Sequence, residues 1–436
     1  MKNTYLFLLL VFTTSFIGCT KSTKNNSQEK EIQKQNIFAI KNVNIIPMTK
    51  ENNKVIENAT IVIVSGKISS INKSIPNNAE IIDGNGKWLI PGFIDMHVHL
   101  VAHGNFRETY PTEGATFFFD SQDMLTPYIV NGVTTVFDLN SNHAYFALRN
   151  EVAIGDVIGP KIALAKLLNG GDNTGDVNTP SDGRQAVRSA KAEGYKFIKT
   201  YSQLNVETFL AIVDEAKIQK LKVIGHIPYS FRGMLDKAFV PNFSMVAHAE
   251  EYAKQTENFS DDDAKRFALI AKENNTWLTP TLTVMEWIAN QARSLDELKE
   301  LSSFKYMHPI FQDKWINSNK HNRNSNPNHI AYLDKIVNFN NKLVKAFNEA
   351  GVPIVAGTDA MGSGVVPGFS LHDELELLVK AGLTPEEVLN SVTRLPAIWL
   401  GIDSHTGTVE AGKDADLVLL DSNPLEDIKN TRQIRG

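Results

Sequence analysis

From residue 37 onward, short apolar runs alternate with turn residues. Residues 37–40, 43–46, 59–64, 67–71 and 80–82 read as strands. Asn52-Asn53, Ser65-Gly66 and Asp83-Gly84-Asn85-Gly86 read as the turns between them. Near the far end, Thr408-Val409 and residues 417–420 are strand-like again, with Gly407 and Gly412 as turns. These two β segments flank the rest of the chain, so residues 37–88 and 402–436 are expected to form one small β-sandwich. Between them, apolar runs alternate with helical patterns such as 206–219. Candidate strands fall at 89–97, 133–139, 161–166, 196–201, 222–227, 244–248, 277–282 and 352–357. Eight βα units predict a closed (β/α)8 TIM barrel over 89–401, in the α/β class. Thr384-Pro385-Glu386-Glu387 predicts a capped helix start. The polar, helix-prone stretch 287–343 follows the seventh strand and is expected to overhang the barrel mouth.

Composition narrows the picture. The chain has 436 residues, 42% hydrophobic and 21% charged, which suits a large globular core and excludes collagen-like, disordered and polytopic membrane classes. A net charge of −5 argues against a nucleic-acid partner. A single cysteine excludes an internal disulfide and any thiolate metal cluster. Any metal must then be held by His, Asp, Glu or a modified side chain. That cysteine, Cys19, ends a charged start, an apolar run over 5–17 and Gly18, the pattern of an export signal. The Gly18-Cys19 ending resembles a bacterial lipobox, which implies a signal over 1–18 and lipidation of Cys19. The polar stretch 19–36 then reads as a flexible tether. The expected location is the bacterial cell envelope, lipid-anchored on its periplasmic or cell-surface side.

The candidate chemistry sits at strand ends. His97 and His99 are two apart on the first barrel strand, so their side chains project to the same side. Lys199 lies near the end of strand four, His226 ends strand five, His248 ends strand six and Asp359 follows strand eight. Singly, each suits a hydrogen-bonded strand end. Together, six such residues on five strands would converge on the carboxyl rim, where active sites of barrels lie. Imidazoles and carboxylates suit Zn, and also Mn, Fe or Co. A deprotonated, buried lysine can add CO2 and offer a carbamate to two divalent ions. A water bridging two ions would be acidified into a hydroxide nucleophile, with Asp359 as general acid/base.

With these residues in place, the chain resembles the amidohydrolase superfamily. The motifs are Pro91-Gly92-Phe93-Ile94-Asp95-Met96-His97-Val98-His99, Gly132-Val133-Thr134-Thr135-Val136, Lys199, His226, His248, Gly357-Thr358-Asp359 and Gly412-Lys413-Asp414-Ala415-Asp416-Leu417. The resemblance covers about residues 37–436. The resemblance is strongest to the imidazolonepropionase-like and Xaa-Pro dipeptidase (prolidase)-like branch. Gly159-Pro160, Ile198-Lys199-Thr200-Tyr201, Pro280-Thr281-Leu282 and Leu371-His372-Asp373-Glu374-Leu375 carry that likeness. It implies His97, His99 and Asp359 on one ion, His226 and His248 on the other, and carboxylated Lys199 between them. It also makes Tyr201 a candidate to polarise the scissile carbonyl, the other reading being a packed strand tyrosine. Asp172 stands where dipeptidase-like relatives often carry a His, which puts dipeptide specificity in doubt. Relatives also usually continue past Gly436 with another strand or two.

The expected function is binuclear hydrolysis of C–N bonds in small amides or short peptides, Xaa-Pro dipeptides among the candidates. The alternatives are a lactonase, a cyclic-amide hydrolase or a deaminase on the same centre, or an inactive surface binding protein. Homo-oligomers are left open. His103, His143 and His372 are further candidates to face substrate, and Glu286 and Trp287 follow the seventh strand.

Overall fold

The computed structural model describes residues 36–50, 54–100, 103–105, 116–172 and 176–436, with the backbone alone at 103–105 and 116–118. The expected signal, Cys19 and almost all of the tether lie outside the described residues.

The chain ends share one six-stranded sheet. Ile37–Ile45 pairs antiparallel with Ile56–Val64 and parallel with both Glu80–Asp83 and Trp88–Pro91. Leu417–Leu420 returns from the far end to pair antiparallel with Trp88–Pro91. The predicted turn at Ser65-Gly66 has φ of 50° and 76°, the left-handed pair that a tight hairpin needs. Ile40, Val43, Ile45, Ala59, Ile61, Ile68, Leu89 and Val409 pack together as its core.

The second sheet is the barrel. Phe93–Val98, Val133–Asp138, Lys161–Leu168, Phe197–Thr200, Lys222–Gly225, Phe243–Ala247 and Trp277–Thr279 lie side by side in chain order, all parallel. The eighth position, 352–357, is not a regular strand, because Pro353 has no N–H to give to a ladder. The segment still nearly closes the barrel. Val355 N donates to Leu278 O (2.9 Å) on one side, and Ala356 O accepts from Met96 N (3.0 Å) on the other.

The strand expected over 89–97 is divided. Trp88–Pro91 belongs to the small sheet and Phe93–Val98 to the barrel. Gly92 is the pivot: its N–H goes to Asp416 O, while Phe93 N goes to Gly132 O. A Cβ at Gly92 would lie 2.2 Å from Thr134 Oγ1, so no larger residue fits the crossing.

Ile94, Met96, Phe137, Ala165, Phe197, Ile224, Met245, Val355 and Trp399 cluster as an apolar plug in the barrel. The Thr384 capping box forms as expected, with Glu387 N donating to Thr384 Oγ1 and Glu387 Oε2 accepting from Thr384 N. The excursion after strand seven folds into helices, including Leu282–Arg293, Pro309–Asn317 and Pro327–Ala350. Its Leu298, Met307, Ile310, Phe311 and Trp315 pack with Phe119, Met124 and Val366, which follow strands one and eight. It therefore lies over loops at the carboxyl end of the barrel.

Candidate metal centre

His97 and His99 leave strand one at a β-bulge. Asp95 pairs with Val136 and Val98 with Asp138, so one extra residue sits on the first strand. A bulge re-aims the side chains beyond it. Met96 therefore joins the apolar plug while His97 and His99 both reach Asp359. Their Nε2 atoms lie 3.2 and 2.9 Å from Asp359 Oδ1.

Asp95 fixes this geometry from below. It is fully buried, and its Oδ1 accepts from His97 N (3.2 Å) and Thr358 N (3.1 Å) while Oδ2 accepts from Thr358 Oγ1 (2.7 Å). It clamps strand one to the segment that delivers Asp359. Gly357 permits the approach, since a Cβ there would fall 2.9 Å from His97 N.

The predicted ligands converge. Ring centroids of His97 and His99 are 5.3 Å apart, His97 and His248 4.5 Å, and His226 and His248 4.8 Å. Tyr201 extends the row, its ring 4.2 Å from His226 and partly open to solvent. One ligand atom each from His97, His248 and Asp359 falls within 4.8 Å of the others. Lys199 is buried with its Nζ lacking any hydrogen-bond partner. His226 Nε2 and His97 Nδ1 also lack one.

The Nδ1 atoms of the strand-five and strand-six histidines are held from behind. His226 Nδ1 lies 2.7 Å from Ser202 Oγ and 3.1 Å from Glu251 Oε1. His248 Nδ1 lies 2.7 Å from Thr281 Oγ1. Fixing Nδ1 leaves Nε2 to face the centre.

The protonation states suit a cation. Burial lowers Lys199 to about 7 and His97 to about 3. Burial also takes His226 and His248 well below the usual imidazole range. Burial works to raise Asp359, but His97 and His99 beside it outweigh that and hold it well below the usual carboxylate range. The neutral imidazoles of His97, His226 and His248, an ionised Asp359 and an amine that loses its proton near neutrality form a donor set that fits divalent ions, while burial at His99 is outweighed by the carboxylates beside it, which raise that imidazole.

Sequence reasoning missed a ring of buried carboxylates. Burial raises Asp95 and Glu251 to about 7 and Asp138 to about 6. Asp138 closes strand two, with Oδ2 accepting from Leu100 N at 2.6 Å. The available signal was an acid inside an otherwise apolar strand, as in Phe93-Ile94-Asp95-Met96 and Val136-Phe137-Asp138-Leu139.

Other candidates lie elsewhere. His372 is buried against Thr431 Oγ1 (3.0 Å), away from the row, because its helix turns that face toward the C-terminal segment. His143 starts the helix after strand two and is exposed, as is Asp172. Glu286 lies 3.6 Å from Lys380, and Trp287 packs beside Gly364. The His103 side chain lies outside the described residues.

Comparison with known proteins bears on this centre. The amidohydrolase family model matches residues 88–434. An imidazolonepropionase of Thermoplasma acidophilum is 25% identical over 389 residues, 86% of this chain and 85% of that protein. A 5-methylthioadenosine/S-adenosylhomocysteine deaminase of Bacillus cereus is 24% identical, over 87% of this chain and 84% of its own. The crystal structure of a Xaa-Pro dipeptidase with bound methionine in the active site superposes with a TM-score of 0.68 at 23% identity, covering 91% of this chain and 97% of that one.

Proposed function

Because the chain belongs to the amidohydrolase family, we propose that it is a two-metal hydrolase of C–N bonds in small amides or short peptides, Xaa-Pro dipeptides among them. The observation that carries this reading is the Lys199 amine, fully enclosed and unpaired amid the histidines and Asp359. An ammonium there would be an uncompensated buried charge. A neutral amine can instead take up CO2, releasing a proton and gaining two carbamate oxygens.

In this reading His97, His99 and Asp359 would hold one ion and His226 and His248 the other, with a carboxylated Lys199 offering an oxygen to each. When bound, the ions acidify a water and polarise the scissile carbonyl. Asp359 Oδ1 is committed to the His97 and His99 side. Oδ2 is then the atom that takes the proton of the attacking water and passes it to the leaving amine. The Tyr201 hydroxyl donates to the carbonyl oxygen as it gains charge. Amide and water yield carboxylate and amine.

The compact His97–His248–Asp359 group favours one second reading, a single-ion deaminase or lactonase. Zinc counting after reconstitution in zinc and bicarbonate separates the two, with about two ions per chain expected from the site residues. Turnover on Xaa-Pro dipeptides and cyclic amides, with ammonia told apart from amine, names the reaction. Lys199→Ala is expected to lose zinc and at least ~10³-fold in kcat/KM. Wild-type turnover in that variant, or under one ion per chain in the well-folded wild type, would sink the two-metal reading.

Among the described residues no helix is long and apolar enough to cross a membrane. Attachment to the cell envelope through a lipid on Cys19 is proposed from the apolar run over 5–17 and the Gly18-Cys19 ending. Cys19→Ser should move the protein from the membrane fraction to the soluble one, and an unchanged distribution would refute the anchor.

A further inference from the structure

Thr281 stands at the start of the helix Leu282–Arg293, in the cap position, where a threonine ordinarily spends its hydroxyl on the first free backbone N–H groups. Here it does not, and no side-chain cap bond is made by Thr281. Glu374, from the helix Phe369–Lys380, takes over that task. Its fully buried carboxylate accepts from Leu282 N (3.0 Å), Thr283 N (2.8 Å) and Thr283 Oγ1 (2.8 Å). The Thr281 hydroxyl is thereby free to meet His248 Nδ1 at 2.7 Å.

The backbone is strained to bring it there. Thr281 lies at φ 48°, ψ 50°, a left-handed conformation that a β-branched residue adopts only under constraint. His248 is left-handed as well, at φ 78°. The two are locked in register by His248 N to Thr279 O (2.8 Å) and Ala249 N to Pro280 O (3.0 Å).

We propose that Thr281 is a positioning residue for His248: its hydroxyl accepts from Nδ1–H, selecting the tautomer whose Nε2 lone pair faces the metal, while Glu374 replaces it as helix cap. The proposal rests on His248 being a metal ligand. It joins two motifs, Pro280-Thr281-Leu282 and Leu371-His372-Asp373-Glu374-Leu375, into one device.

The test compares three variants of the full chain for zinc affinity, by competition with a chelator, and for thermal unfolding of the metal-free form. Thr281→Val keeps the shape and loses the hydroxyl, so zinc affinity should fall about 10- to 100-fold. Thr281→Ser keeps the hydroxyl and should stay within about threefold of wild type. Thr281→Gly loses the hydroxyl but accepts φ 48° without strain. Its affinity should fall as far as that of the valine variant while the metal-free melting temperature holds or rises. A purely structural role predicts the reverse, loss of melting temperature without loss of affinity. Histidine ¹⁵N spectra of the metal-free protein should show His248 protonated at Nδ1 in wild type and in the serine variant, and a tautomer mixture in the valine variant. His248→Ala keeping its zinc would overturn the metal reading and the proposal with it. Zinc lost in His248→Ala but retained in Thr281→Val would overturn the proposal alone.

Discussion

The barrel's interior plug and its carboxyl rim are made by the same strands, yet they obey opposite rules. On strand four, Phe197 and Lys199 are two residues apart and both buried. The Phe197 ring stacks on Trp399 with centroids 5.4 Å apart and packs edge-on to Phe137 at 4.8 Å. The Lys199 amine touches no hydrogen-bond partner at all. In the plug apolar side chains pack against one another, and burial stabilises. At the rim, burial strips water from an amine, three imidazoles and several carboxylates, which costs stability. There the unpartnered Lys199 Nζ and His226 Nε2 lie among the other candidate ligands, where their lone pairs could serve a cation.

The largest expected effect breaks that contrast directly. Lys199→Met should stabilise the metal-free protein by on the order of 5 kcal/mol at or below pH 7. The sign follows from the amine, whose folded pKa of about 7 lies below 10.5. Between those values only the unfolded chain binds the extra proton, so wild-type stability falls as pH drops toward 7. Urea unfolding across that range should show the variant's advantage shrinking as pH rises, and no advantage at pH ~6 would contradict it. Next, Phe197→Ala should cost about 3–4 kcal/mol by leaving a cavity in the plug, with zinc per chain unchanged. Loss of zinc there would show that plug and rim are not separable. Glu374→Gln replaces one accepting oxygen with a donor facing backbone N–H groups, and should cost about 2 kcal/mol in chemical denaturation. The smallest effect tests the outermost member of the row. Tyr201→Phe should lower kcat about tenfold, roughly 1.4 kcal/mol, with zinc content intact. Unchanged kcat would leave Tyr201 as a packing residue.

Much of the rim was legible in the sequence because each ligand candidate closes an apolar strand. Lys199, His226, His248 and Asp359 could be placed on one rim from strand order alone. What stayed hidden depends on partners far along the chain. Asp95 reads as an odd acid in a strand until Thr358 is brought beside it. Glu374 reads as a helix-face charge until it caps a helix starting at Leu282. The bulge before His97 leaves no turn residue to announce it, since Met96 and His97 are ordinary strand residues. The eighth strand was overestimated for the converse reason: the apolar run at 352–357 is genuine, but Pro353 withholds the N–H that a regular ladder needs.

The pairing of Leu417–Leu420 with Trp88–Pro91 has a consequence for how the molecule is made. As the chain emerges during translation, Trp88–Pro91 appears with one flank unmatched, and its partner is synthesised roughly 330 residues later. Gly92 couples that waiting strand directly to the one bearing His97 and His99. Closure over so long a loop is slow. The nascent polypeptide must therefore keep an exposed β edge from aggregating until Leu417–Leu420 arrives, which makes biogenesis sensitive to changes in that strand.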